Sequence, residues 1–172
     1  MNIAGVSQAL YDLIDINKTT LLSGLSVQGN NRTLAILTQS KFTPTSGYYY
    51  ISINIGESSR YEKSQQEKWP ITRYPCELEV ADRIFHIAPE TNAYEKMSID
   101  FYKLCDRIAQ LIYDAKTFTN ASFKYELLTS AAPENNRRID MQIIHSYGEE
   151  EQDLSLYGLI KFTLVGEFET NI

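Results

Sequence analysis

The residues able to carry chemistry are few and scattered. The soft metal ligands are Cys76, Cys105, His86 and His145. None stand at the C-x-x-C or H-x-x-x-H spacing with which a zinc site gathers local pairs of ligands. Nucleophilic catalysis needs a nucleophile, a base within reach and a group that orients the base. Cys105 with His145 can be written as such a pair, but Cys105 falls in the apolar stripe of a helix, where a thiol is buried and inert. The sequence holds no G-x-S-x-G, G-x-x-x-x-G-K-[ST] or G-x-G-x-x-G element, and its eight glycines are dispersed. Glu77 and Glu79 share one face of a strand and read as a solvated surface. Glu149, Glu150 and Glu151 lack the alternating oxygen ligands of a calcium loop and read as a hairpin tip. The expectation is a binding or structural protein, not an enzyme, with no cofactor and no metal.

One segment has the chemistry of an interface. Gly56 to Pro75 places Arg60, Lys63, Lys68 and Arg73 against Glu57, Glu62 and Glu67, with Tyr61, Trp69 and Tyr74 among them. Mixed charges of this kind fix register across an interface more than they add affinity. Trp69 precedes Pro70 and Tyr74 precedes Pro75, so two large rings sit on stiffened backbone. Rigid aromatic side chains are frequent hot spots. The segment reads as a long polar loop, and long loops in compact domains are commonly functional. Arg60, Tyr61, Lys63, Lys68, Trp69, Arg73 and Tyr74 are therefore the candidate contact residues, in a loop expected to be ordered by a partner.

The elements around it follow from periodicity. Ile3, Val6, Leu10, Leu13 and Ile14 fall on one face of a 3.6-residue repeat, and a short second helix or turn follows through Leu21, Leu22 and Leu25. Gln28 to Asn31 has turn chemistry. Thr33–Thr38 has strand length, and Tyr48–Ile55 alternates with a period of two. Pro44, Ser46 and Gly47 between them suggest a hairpin. Cys76–Ile87 is a strand with a pattern shift at Ala81 and Asp82 that suggests a bulge. Asn92 is a candidate N-cap with Glu95 at capping-box spacing. The strongest helix carries Phe101, Leu104, Cys105, Ile108, Leu111, Ile112 and Ala115 on one face. Strands are then expected at Ser122–Leu128, Ile139–Tyr147 and Leu154–Phe168. The expectation is an α+β fold with a mostly antiparallel or mixed sheet, two helices packed on it, and the order α-β-β-β-α-β-β-β.

The chain has 172 residues, which suits one domain over 1–172 with a core large enough to need no disulfide or metal. Its net charge of −6 argues against sequence-specific or general nucleic-acid binding, which draws on clustered Lys and Arg. Met1 to Ala4 lacks the basic start of a signal peptide, and no apolar run approaches membrane-spanning length. Twelve tyrosines suit strands and half-exposed interfaces alike.

The layout resembles the tail terminator proteins of long-tailed bacteriophages and related contractile injection systems. The resemblance lies in the amphipathic helix from Met1 to Leu10, the strand Tyr48–Ile55 leading into the polar loop, and the strand opened by Tyr74 and Pro75. It continues in the helix from Ser98 to Ala115 and the closing β-hairpin. It covers most of the chain and rests on no single motif. It implies a virion protein, assembled in the host cytoplasm. Copies would form a ring, commonly a hexamer, on the head-proximal end of the tail tube. That ring ends tube polymerisation and offers a surface to neck or connector proteins, and to the sheath where the tail is contractile. Other neck or head-completion proteins share the layout. A small enzyme or ligand-binding domain with a pocket between sheet and helices is the reading from a different class.

Overall fold

The structure is a computed structural model, and it describes residues 3–25, 33–37, 48–56, 59–62, 70–84, 93–115, 117–120, 123–127, 139–147 and 154–167. Three helices are present: α1 (Ile3–Ile16), α2 (Lys18–Leu22) and α3 (Ala93–Ala115). Eight strands form a single sheet: β1 (Thr33–Leu37), β2 (Tyr48–Ile55), β3 (Ser59–Glu62), β4 (Pro70–Ile84), β5 (Thr117–Asn120), β6 (Phe123–Leu127), β7 (Asp140–Tyr147) and β8 (Leu154–Glu167). The fold is α+β, and the sheet is mixed. The short strands β3 and β5 add to the expected order, β4 begins at Pro70 where the expected strand began at Cys76, and α2 is the short second helix expected through Leu21 and Leu22.

The centre of the sheet is the antiparallel pair β4–β8, which runs without a slip from Ile71 opposite Glu167 to Ile84 opposite Leu154. Period-two alternation sends Tyr74, Cys76, Leu78 and Val80 of β4 to one face, with Leu156, Ile160, Phe162 and Leu164 of β8 beside them. Tyr49, Ile51 and Ile53 of β2 extend this face. Both long helices cover it: Val6, Leu10 and Ile14 of α1 and Phe101, Leu104, Cys105, Ile108 and Ile112 of α3 join the same buried cluster. Burial of this one face is the main driving force of the fold. Leu111 is only partly buried, at the rim of the α3 stripe.

Each flank of β4–β8 is an interrupted strand. On one side β2 and then β3 pair with β4. Gly56 N–H still donates to Pro75 O at 2.7 Å, in line with Ile55 opposite Cys76, but Ser59 stands opposite Arg73. The pairing slips by one residue there, as at a β-bulge. Pro75 has no N–H to give, and beside a slip in the ladder that lack is tolerated. The segment read as a loop is thus largely the two arms of a hairpin, β3 and the start of β4, joined through residues 63–69, which lie outside the described residues. On the other side β6 pairs with β8 at Leu164–Gly166 and β7 pairs with β8 at Leu154–Lys161.

Two further expectations are corrected. β1 and β2 are parallel, Thr33 opposite Tyr48 through Leu37 opposite Ser52, so they are not a hairpin. A five-residue strand is about 17 Å long, and the chain from 38 to 47 is long enough to return that distance. No bulge occurs at Ala81 and Asp82, since both edges of β4 pair continuously through them. The apolar pattern shifts there because Ala81 is covered on the opposite face, between Tyr50 and Tyr157. The expected turns at 28–31 and 148–151 and the expected N-cap Asn92 lie outside the described residues.

α1 ends where Asn17 Nδ2 donates to Leu13 O at 2.8 Å, drawing a carbonyl out of the helix ladder. α2 stops at Gly24, whose φ of 66° is the left-handed conformation of a helix terminator. Arg107 of α3 donates to Leu21 O and Ser23 O at 2.8 and 2.7 Å, so α3 supplies the cation that the C-terminal end of α2 favours. α1 touches β1 and β2 at one end of the strand order and β5 at the other. One helix can reach both only if the sheet curls around it.

Candidate functional site

Of the hairpin residues chosen from sequence, Arg60, Tyr61, Arg73 and Tyr74 fall among the described residues. Arg60 and Tyr61 lie on β3, opposite Thr72 and Ile71. Lys63, Lys68 and Trp69 lie outside the described residues. Arg73 is exposed on β4, on the face turned away from the helices. Tyr74 is a correction. It is fully buried, with its ring edge-on to Tyr125 at 5.7 Å and 89°. It belongs to the domain's own core and cannot anchor a partner. The reason is alternation, since Tyr74 stands two residues before Cys76 and so faces the same way. Gly166 makes the room: a Cβ there would meet the Tyr125 ring at 2.9 Å and the Tyr74 ring at 3.5 Å.

Of the groups considered for catalysis, Cys76, Cys105, Glu77 and Glu79 are described. Burial pushes the Cys76 thiol up to about 12, against a smaller opposing effect of a backbone hydrogen bond at Leu164. Burial, with Asp106 nearby, does the same to Cys105. Neither is a thiolate near neutral pH, so neither is a nucleophile. Glu77 pairs with Lys161 of β8 at 3.1 Å. Glu79 has its pKa raised by burial first and by Glu77 second. Two buried carboxylates, Asp82 and Asp100, were not singled out by the sequence reading. Asp100 stands four residues before Leu104, at the edge of the α3 stripe, and that spacing was the available signal.

The described residues form at least two open grooves. One, of about 530 Å³, is lined by residues that include Asn54, Glu77, Lys161 and Asp140. These four are register partners across β2, β4, β8 and β7, a polar row on the back of the sheet. Its central cation, Lys161, stands between Glu77 and Asp140 in register. The other, of about 670 Å³, lies between α3 and β7 and includes Arg107, Tyr113 and Met141. Arg107 is already committed to the α2 carbonyls. Among the described residues no group of three or more His, Cys, Asp or Glu could hold a metal ion, and no helix is long and apolar enough to cross a membrane.

β1 pairs only with β2, and β7 only with β8, among the described strands. Each has an outer edge whose backbone N–H and C=O groups can receive another strand. β7 carries exposed apolar side chains on both faces, Met141 at 42% and Ile144 at 39% exposure. Ala35, Ile36 and Leu37 of β1 are half-buried. Neither strand contains the Lys or Pro with which monomeric proteins blunt an edge. No protein-family model matches the chain, and no curated protein is recognisably related to it.

Proposed function

We propose that this chain is a structural assembly protein whose copies close into a ring, acting as a terminator on the head-proximal end of a phage-type tail tube. The observation that carries the reading is that, among the described residues, β1 and β7 each pair with one neighbour only and carry half-buried or exposed apolar side chains. A protein with one such edge dimerises; a protein with two different ones can pass the contact on from copy to copy, which closes into a ring where the rotation permits. The layout resemblance supplies the tail, the six-fold ring and the neck or connector as partners. The exposed Arg73 and the β3–β4 hairpin, which extends the long axis of the sheet, offer a second surface for those partners.

Electron microscopy of the assembled particle, together with native mass measurement, tests this. A cyclic ring of the chain at the tube end is the expected result; a tube end without one refutes the proposal. A variant with Arg60, Tyr61 and Lys63 all changed to Ala is expected to fold normally and to lose attachment to its partners. Full attachment by that variant removes the hairpin from the contact.

A further inference from the structure

We draw no further inference here: the strongest candidate, the groove of about 530 Å³ on the back of the sheet between the end of β2 and the start of β7, where Thr163 of β8 lies between the stretches paired with β7 and β6, carries nothing because nothing in the structure shows what covers it.

Discussion

Gly158 of β8 has no side chain because Cys105 of α3 fills its place: a Cβ built there would lie 2.6 Å from the Cys105 sulfur. Both sit in close-packed surroundings, so Gly158→Ala is expected to cost roughly 1–3 kcal/mol in urea unfolding. Adding Cys105→Ala should recover part of that loss, since the two changes share one volume. Strictly additive losses would mean that the contact does not limit the packing. Glu79 makes a different prediction. Its carboxyl holds its proton more tightly in the folded chain than in the unfolded one, first through burial and then through Glu77. A raised carboxyl pKa favours folding in acid, and that contribution is lost as pH rises through the folded value. Glu79→Gln is therefore expected to raise Tm at pH 7, with the gain shrinking as the pH falls below the ordinary carboxylate range. A gain that persists in acid would assign the effect to packing instead of charge.

At the scale of elements, α3 was the most legible part of the sequence, because its apolar residues repeat over several turns and only one face can be buried. Phe101, Leu104, Cys105, Ile108 and Ile112 are all fully buried in the structure. Ile108→Ala is expected to cost roughly 2–5 kcal/mol, read as a lower Tm and urea midpoint; an unchanged midpoint would take Ile108 out of the core. The alternating strands β2 and β8 were legible for the same reason. Pairing was not. Whether β1 and β2 run parallel depends on where the chain between them turns, and no side-chain period records that. The hairpin was misread because its arms are polar, so β3 shows no alternation of apolar residues. Tyr74 was misread because Pro75 suggested a boundary, although the alternation of Tyr74, Cys76, Leu78 and Val80 passes straight through it. The open edges of β1 and β7 were likewise invisible, since an edge is a property of strand order and not of one strand.

At the scale of the molecule, α1 holds the curled sheet in shape. Its buried face of Val6, Ala9, Leu10 and Ile14 lies between strands from opposite ends of the strand order, β1 and β2 on one side and β5 on the other. Among the described strands β1 and β5 are edges, each paired with one neighbour. Edge strands of this length are weakly held by pairing alone, so the helix that both touch should set their stability together. Leu10→Ala removes the fully buried side chain near the middle of α1 and is expected to cost roughly 2–5 kcal/mol. Its distinguishing effect is spatial. Hydrogen exchange should quicken together in β1 and β5, although these strands are far apart in sequence, while the β4–β8 ladder keeps the slowest amides. Faster exchange confined to α1 itself would show that the sheet keeps its curl without the helix.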